Sequence, residues 1–405
     1  MAVGVAAAQN FFSVDGIRLS AVAANIRYKE RPDLVLIEIA AGSVVSGVFT
    51  QNAFCAAPVI VARNHLAQSS SQFFLINTGN ANAGTGETGE TDALRCCNAV
   101  ADLAGNESWQ VLPFSTGVIG EKLPVERIIN SLPNAFQKLT DSNWGLAAQG
   151  ILTTDTRPKL SSAQVSIDDQ VVTITGLAKG AGMIKPNMAT MLSYVFTDAC
   201  IDQKSLDGFL REAVNLSFNR LTVDGDTSTN DCCMLTATGL SGVMISDIED
   251  DACQKFKEAL LGVFLELATN LIKDAEGATK FVTVEVNQGK DEQECLQVAY
   301  CIAESPLVKT ALFASDPNWG RILAAVGRAG LENLDIDSVK IYLGETQIVD
   351  AGARAPGYRE ELGQLEMNQE EIAIRIDLAR GSHSERVWTS DLSHDYVRIN
   401  AEYRT

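Results

Sequence analysis

Apolar residues in the first half of the chain recur with the period of β-strands. Strands are predicted at residues 33–40 (DLVLIEIA), 43–50 (SVVSGVFT), 58–62 (PVIVA) and 73–77 (FFLIN), where β-branched and aromatic residues concentrate. Residues 164–176 (QVSIDDQVVTITG) predict a hairpin that turns at Asp168–Asp169. Further strands are expected directly after Thr190 and near 232–238.

Helical periodicity separates these strands. Helices are predicted at 88–103, 124–139, 203–217, 251–274, 306–313 and 319–328. In the last third, apolar strand-like segments alternate with the helices, at 281–287, 295–303, 339–343, 371–378, 385–392 and 396–400. Because hairpins and helices are mixed, the pattern favours an α+β fold over a doubly wound parallel sheet.

The length of 405 residues predicts two domains, because a single hydrophobic core rarely serves so long a chain. We place the boundary near residue 280, which gives domains of residues 1–280 and 281–405. The sequence contains no internal repeat and no low-complexity linker.

Charge and apolar content exclude several classes of protein. A net charge of −19 argues against a nucleic-acid partner, since phosphate binding needs clustered Lys and Arg. The longest apolar helix candidate, residues 252–275, carries several charged side chains and does not suit a membrane. The N-terminus lacks the basic region of a signal peptide, and nine cysteines without a CxxC pair fit reduced thiols, so we expect a cytoplasmic location.

Familiar cofactor and metal motifs fail on inspection. GTGETG at 84–89 matches GxGxxG, but the strand and acidic residue that a dinucleotide site requires are not in register with it. DGDTSTND at 224–231 has Thr229 where a calcium-binding EF-hand loop needs glycine, so an ordered turn is the better interpretation. None of the three histidines stands in a metal or hydrolase motif. The sequence therefore predicts neither a metal nor an organic cofactor.

The most informative stretch is AKGAGMIKPNMATMLSY, residues 178–194. Gly180 and Gly182 permit a sharp backbone turn, and Pro186 fixes one backbone angle. Thr190 then stands at the head of an apolar run that predicts a strand. A threonine hydroxyl needs a base to become a nucleophile, and a freed N-terminal amine is one way to supply it. The stretch therefore suggests scission at Ala189–Thr190, although a glycine-rich loop before an ordinary buried strand has the same residue types.

Eight further segments help to decide between self-cleavage and an ordinary loop. Together with KGAGMIKPNMATML, they occur along the chain in the order that a known protein family shows. They are GVFTQN (47–52), NTGNANAGTG (77–86), STGVIG (115–120), ILTTDTRPK (151–159), TVDGDTSTND (222–231), DAEGATK (274–280), SDPNWGRI (315–322) and HDYVRINAEYRT (394–405). Together they resemble the ornithine acetyltransferases, also called glutamate N-acetyltransferases, from about residue 11 to the C-terminus.

The resemblance implies a precursor that cuts itself before the threonine. The products would be an α chain of residues 1–189 and a β chain of residues 190–405, which usually form an α2β2 heterotetramer. The implied fold is an αββα sandwich of the ornithine acetyltransferase (DmpA-like) type with a smaller C-terminal α/β domain. Its logic is similar to that of N-terminal nucleophile hydrolases, but its topology differs.

The same resemblance assigns roles to individual residues. Thr190 is implied as the nucleophile and Thr116 with Gly117 as the oxyanion hole. The implied substrate-contacting residues are Thr154, Lys179, Thr190, Glu276, Asn400 and Thr405. In chemical terms, Lys179 suits an α-carboxylate and Glu276 suits the distal ammonium of ornithine, but which residue contacts which end stays open.

The implied reaction is a ping-pong transfer of acetyl from N2-acetyl-L-ornithine to L-glutamate in arginine biosynthesis, without a metal or organic cofactor. Some relatives also take acetyl-CoA as donor, which would make the enzyme bifunctional. One alternative is an amidase or aminopeptidase with the same self-exposed threonine and water as acceptor. Another is a non-catalytic binding protein that keeps the fold.

Overall fold

The computed structural model describes residues 2–4, 11–68, 71–167, 169–185, 191–248 and 250–403. The strands in these ranges are β1 Ile17–Val22, β2 Leu34–Ile39, β3 Val44–Phe49, β4 Phe73–Asn80, β5 Val111–Val118, β6 Lys159–Ile167, β7 Gln170–Lys179, β8 Leu192–Thr197, β9 Cys200–Ile201, β10 Leu221–Thr222, β11 Cys232–Ala237, β12 Met244–Ile245, β13 Phe281–Gly289, β14 Lys340–Leu343, β15 Thr346–Asp350, β16 Ala353–Arg354, β17 Glu371–Asp377 and β18 His383–Ser390. The α-helices are α1 Ala57–Leu66, α2 Gly86–Ala104, α3 Val125–Gln137, α4 Trp144–Gly150, α5 Gln203–Leu216, α6 Asp251–Lys273, α7 Glu292–Ala303, α8 Pro306–Phe313, α9 Trp319–Gly327, α10 Glu360–Met367 and α11 His394–Ala401.

Most predicted elements are confirmed, and three segments expected to be strand-like are helical. Residues 58–62 lie in α1, which starts with Pro58 in its first turn, where proline is favoured, and buries most of its apolar side chains. Residues 295–303 lie in α7, where Asp291 caps the helix by accepting from Glu294 N at 2.8 Å. Residues 396–400 lie in α11, capped by Ser393. Burial in α1 and α7 and side-chain caps in α7 and α11 outweigh the β-branched residues of these segments.

The predicted hairpin is confirmed. β6 and β7 pair antiparallel with Ile167 opposite Gln170, so the chain reverses direction between these two residues. Asp169 has φ +61°, a left-handed conformation that Asp tolerates and that suits a tight hairpin.

The larger compact unit comprises residues 7–219 and 227–271, and its core is a sandwich of two sheets. One sheet has the order β1-β2-β4-β5, and the other has the order β3-β11-β8-β7-β6. Apolar side chains from both sheets form one buried cluster between them. At its centre, the ring of Tyr194 from β8 lies 5.8 Å from that of Phe74 and 5.2 Å from that of Phe114.

Helices cover the outer faces of both sheets. α1, α2 and α3 pack on the first sheet through a second apolar cluster that includes Leu34 and Leu36. Val35 and Ile37 point into the inter-sheet core instead, which explains why the predicted strand at 33–40 is apolar nearly throughout. α5 and α6 lie against the second sheet, where Ser46 bonds Asp207 and Ser161 bonds Glu266. The layers are therefore α, β, β, α, as expected.

The smaller unit comprises residues 1–6, 220–226 and 272–405. Its sheet has the order β10-β18-β13-β17-β14-β15-β16 and mixes parallel with antiparallel pairs. α7, α8 and α9 contribute to a single apolar cluster with this sheet. This division differs from a cut at residue 280, because residues 272–280 and the segment 220–226 group with the C-terminal residues.

Candidate active site

Gly117 stands near the end of β5 in a conformation and a space that exclude a side chain. Its φ is +135°, and a Cβ built on it would lie 2.3 Å from the carbonyl carbon of Gly79 and 2.5 Å from Asn80 N. The parallel β4–β5 pairing is irregular at this point, between Gly79 and Asn80. Such a strained, close-packed backbone is typical of functional sites, because only surrounding structure can hold it.

Thr116 precedes this glycine and meets a charged side chain. Lys179, the last residue of β7, donates from Nζ to Thr116 Oγ1 at 3.1 Å. Thr116 is itself buried, with 9% of its surface exposed. The structure thus brings together Thr116, Gly117 and Lys179, which sequence reasoning had assigned to two separate roles. A hydroxyl polarised by an ammonium beside a free backbone edge can stabilise negative charge on a substrate oxygen.

Thr154 belongs to a turn that is fastened to the same place. Its neighbour Asp155 accepts from Gly180 N at 2.7 Å, directly after Lys179, and forms an ion pair with Lys159 at 2.5 Å. Burial alone would raise the pKa of Asp155, but the charges of Lys159 and Lys179 and these hydrogen bonds hold it well below its ordinary value. Asp155 is therefore ionised, and it ties the turn that carries Thr154 to the end of β7.

Asp231 is a second buried carboxyl in this unit. It directly precedes β11, has 3% of its surface exposed, and its Oδ2 has no hydrogen-bond partner among the described residues. Burial raises the pKa of Asp231 well above its ordinary value, although Ser228 and the charge of Lys179 act in the opposite direction. An orphaned carboxyl oxygen is costly in a protein interior and is characteristic of functional positions.

The smaller unit holds two of the predicted substrate-contacting residues in direct contact. Asn400, on α11, donates from Nδ2 to Glu276 Oε2 at 2.7 Å and to the Tyr396 carbonyl at 3.0 Å. Glu276 is 9% exposed. Tyr396 in turn donates its hydroxyl to Asp224 Oδ2 at 3.1 Å. A carboxylate oxygen that is oriented by an amide in this way is suited to accept from a substrate ammonium.

Ala189, Thr190 and Thr405 lie outside the described residues. The strands before and after the segment 186–190, β7 and β8, are described. Lys179 of β7 pairs with Leu192 of β8, two positions after Thr190. Met191 accepts through its carbonyl from Cys232 N at 3.0 Å, and Cys232 directly follows Asp231. The chain directly after Thr190 therefore borders Lys179 and Asp231.

Sequence reasoning had missed Asp155, Lys159 and Asp231 as members of this site. All three stand in segments that were noticed, TTDTRPK and TVDGDTSTND. The first two are four positions apart and of opposite charge, which was a usable signal for a local ion pair. Asp231 gives no such signal, because only the tertiary structure shows that its carboxyl is buried.

The described residues contain neither a metal-binding cluster nor a membrane-spanning helix. In those ranges no group of three or more His, Cys, Asp and Glu side chains is arranged to hold a metal ion. Among the same residues, no helix is both long and apolar enough to span a lipid bilayer.

Comparisons with known proteins agree across the chain. Residues 18–405 match the ArgJ family. The arginine biosynthesis bifunctional proteins ArgJ of Pseudomonas fluorescens (strain Pf0-1) and Psychrobacter arcticus are 54% and 55% identical over 406 and 407 residues, covering 100% of each chain. The crystal structure of the Bacillus halodurans protein of that name is 39% identical with a TM-score of 0.50, covering 53% of this chain and 100% of that chain.

A layered α+β fold, a strained threonine–glycine pair beside a lysine, and these relatives define a bifunctional acyltransferase of arginine biosynthesis. The chain belongs to the ArgJ family.

Proposed function

We propose that the protein transfers an acetyl group from N2-acetyl-L-ornithine to L-glutamate through an acetyl ester on Thr190. Acetyl-CoA serves as a second acetyl donor, in keeping with the bifunctional name of the relatives. The observation that carries the proposal is the contact of Lys179 with Thr116 beside the strained Gly117, in a unit whose strand β8 begins two residues after Thr190.

The chemistry starts with scission at Ala189–Thr190. Thr190 Oγ attacks the preceding carbonyl, the acyl group moves from nitrogen to oxygen, and water releases residues 1–189. The freed α-amine has a reference pKa of about 7.7–8.0, so it is partly unprotonated at neutral pH and takes the proton of its own hydroxyl during catalysis. This explains how the enzyme manages without a histidine base.

Each half-reaction passes through a tetrahedral oxyanion. The Thr116 hydroxyl and the Gly117 backbone N–H are the donors to that oxygen, and the Lys179 ammonium reinforces the first of them. One such donor contributes about 3–4 kcal/mol in comparable enzymes. N2-acetylornithine acylates Thr190 and leaves as ornithine, and glutamate then removes the acetyl group as N-acetylglutamate.

Substrate groups are shared among the remaining residues. Thr154 and Lys179 bind polar and anionic groups of the amino acid. Glu276 and Asn400 bind the ammonium group of ornithine, and Thr405 contributes to the same contact. The hydrogen bond from Asn400 to Glu276 supports this assignment, because it orients one carboxylate oxygen and leaves the other to a ligand. We further propose an α2β2 heterotetramer in the cytoplasm, where its nine cysteines stay reduced.

Intact-mass analysis tests the scission and the nucleophile. The purified wild type should give two chains, 1–189 and 190–405, and Thr190→Ala should give one uncut chain. Adding N2-acetylornithine without glutamate should add one acetyl group to chain 190–405 only. An acetyl group on chain 1–189, or turnover by Thr190→Ala at the wild-type rate, would refute the assignment.

A second assay separates the transferase from an amidase or aminopeptidase with the same nucleophile. The cleaved enzyme is incubated with N2-acetylornithine with and without glutamate. Release of ornithine should be much faster with glutamate, and acetate should be a minor product. Acetate release at full rate without glutamate would identify a hydrolase instead.

A further inference from the structure

A loop rich in cations lies beside the candidate oxyanion hole. We call residues 25–31 (NIRYKER) the basic loop. A Cβ built on Gly79 would lie 2.7 Å from Arg27 Cβ, and Gly79 is the residue that Gly117 closely approaches. At its far end, Arg31 donates to the carbonyl of Leu152, two residues before Thr154. The basic loop thus contacts both segments that carry the site residues of this unit.

Several hydrogen bonds fix the conformation of the basic loop. Asp33 accepts from Ala24 N and Ile26 N, each at 2.6 Å, and Arg127 of α3 donates to the Asn25 carbonyl at 2.6 Å. Asn25 and Glu30 both have positive φ, +56° and +63°. Left-handed conformations at non-glycine residues cost energy and persist only where the surroundings impose them. The loop therefore presents its side chains in a defined arrangement.

The charge of the basic loop opposes that of the whole chain. Arg27 is paired with Glu121 at 3.3 Å, and Arg31 lies over the ring of Tyr28 and close enough to Asp33 for its charge to offset part of the rise that burial gives the pKa of that carboxyl. Lys29 and the nearby Lys122, in contrast, form no ion pair within the described ranges. Lys122 lies close to the basic loop, because the preceding residue, Glu121, pairs with Arg27, and its own carbonyl accepts from the side chain of Asn80 at 3.1 Å. Lys29 and Lys122 are both exposed. In a chain of net charge −19, such uncompensated cations beside a catalytic site indicate an anionic ligand.

The two acetyl donors differ most in charge. N2-acetylornithine carries one carboxylate and one ammonium, whereas acetyl-CoA carries a pyrophosphate and a 3′-phosphate at the far end of its pantetheine chain. A strongly acidic enzyme repels the second donor unless local cations offset the repulsion. We propose that Lys29 of the basic loop and the neighbouring Lys122 bind the phosphate groups of acetyl-CoA while its thioester reaches Thr190. This inference rests on the proposed use of acetyl-CoA.

Steady-state kinetics with both donors test the proposal. We compare Lys29→Ala with Lys138→Ala, an equally exposed lysine at the C-terminal end of α3, beyond Gln137. Lys29→Ala should raise the KM for acetyl-CoA about tenfold, since a charged contact to phosphate is worth roughly 1.5 kcal/mol. The KM for N2-acetylornithine should change less than twofold. Lys138→Ala should change neither.

Truncation of the donor locates the interaction. Acetyl-pantetheine keeps the thioester and lacks the nucleotide phosphates. If Lys29 and Lys122 contact those phosphates, the Lys29→Ala/Lys122→Ala variant should lose most of the preference for acetyl-CoA over acetyl-pantetheine, and both donors should then behave alike. Added salt should raise the wild-type KM for acetyl-CoA more than that of the variant.

The outcomes separate this inference from the proposed function. Equal effects of Lys29→Ala on both CoA-type donors, or a raised KM for glutamate in both reactions, would overturn the assignment of the basic loop to phosphate. Failure of the wild type to use acetyl-CoA at all would overturn it too. None of these three results would refute the transfer from N2-acetylornithine, which the acetylated chain 190–405 reports independently.

Discussion

Position 117 requires glycine for two reasons, its positive φ and the lack of space for a Cβ atom. Alanine there would have to adopt φ +135° and would place its Cβ 2.3 Å from the backbone of Gly79. We expect Gly117→Ala to destabilise the protein by about 3–5 kcal/mol, from backbone strain plus overpacking, and to lower kcat at least about 100-fold because the oxyanion donors move.

Gly105 provides the matched control for this substitution. It also has a positive φ, +70°, but it ends α2 in open space. Gly105→Ala should cost only roughly 1–2 kcal/mol and leave kcat within about twofold of wild type. Urea unfolding and the two-donor assay measure both effects. Equal losses in the two variants would mean that the contact with Gly79 has no particular importance.

The buried carboxyl of Asp231 leads to a prediction about how the stability of the protein depends on pH. Because burial raises its pKa in the folded state, the folded protein keeps a proton that the unfolded chain releases. Its contribution to stability is therefore complete below the unfolded pKa of about 3.9 and is lost as the pH rises through the folded-state value.

Asp231→Asn removes this titration. We expect the variant to gain stability relative to wild type when the pH is raised from 5 to 7.5, as measured by urea unfolding at both values. Asp169→Asn, at the exposed hairpin turn, controls for the loss of one carboxyl group. A constant difference between Asp231→Asn and wild type at the two pH values would contradict the buried, protonated state of Asp231.

At the scale of elements, the turn before β6 depends on a buried ion pair. Asp155 and Lys159 are 0% and 1% exposed at their side chains. Asp155→Leu removes the carboxylate that pairs with the Lys159 ammonium and should cost about 3–5 kcal/mol, whereas adding Lys159→Met to it should recover part of that loss. Urea unfolding at pH 7 gives the comparison. A double variant as unstable as the sum of its two single variants would show that the two charges are not coupled.

The Asp155–Lys159 pair also affects the stability of the protein at low pH. The folded-state pKa of Asp155 lies below its unfolded value, so its contribution is present above the unfolded pKa and is lost as the pH falls through the folded-state value. Wild type should therefore lose stability in acid through this group, while the Leu/Met double variant should lose less. Urea unfolding at pH 3 and pH 6, on either side of the unfolded pKa, measures that difference.

The elements also show what a sequence can predict. The strands at 33–40 and 73–77 and the helix at 251–274 were predictable, because their apolar periodicity matches the layers that bury them. The segment 58–62 was not, since the same apolar residues suit a helix enclosed by other elements. For the site, residue types and motif order indicated Lys179 and Thr116. Their contact, however, joins strands of two different sheets, and the burial of Asp231 depends on segments far apart in the sequence.

At the scale of the whole molecule, the cysteines report how much of the chain is inaccessible to solvent. All nine are free thiols, six are buried, and Cys55, Cys200 and Cys301 are half-buried. Burial raises the pKa of the Cys55 and Cys301 thiols, which lowers their reactivity further. Brief maleimide labelling at pH 7 should reach at most these three, and all nine after denaturation, as counted by intact mass. Rapid native labelling of Cys96 or Cys233 would contradict the packing described.

Scission at Ala189–Thr190 would leave the two chains interleaved in one sheet. In the order β3-β11-β8-β7-β6, strands β3, β6 and β7 precede residue 189, whereas β8 and β11 follow residue 190. β8 pairs with β7 over Leu192–Thr197, and β11 pairs with β3 over Cys232–Ala237. The core cluster between the sheets draws on both chains, so neither can leave without exposing apolar surface and unpaired strand edges.

Chains 1–189 and 190–405 should therefore co-purify through a tag on either one. The cleaved wild type should unfold in urea in a single transition, as the uncut Thr190→Ala variant should. Co-expression of the two chains as separate polypeptides tests this without relying on self-cleavage. Each chain expressed alone should be insoluble, because its strands lack partners. A soluble, monomeric chain 1–189 that purifies without the other would show that the shared sheet is not what holds the processed enzyme together.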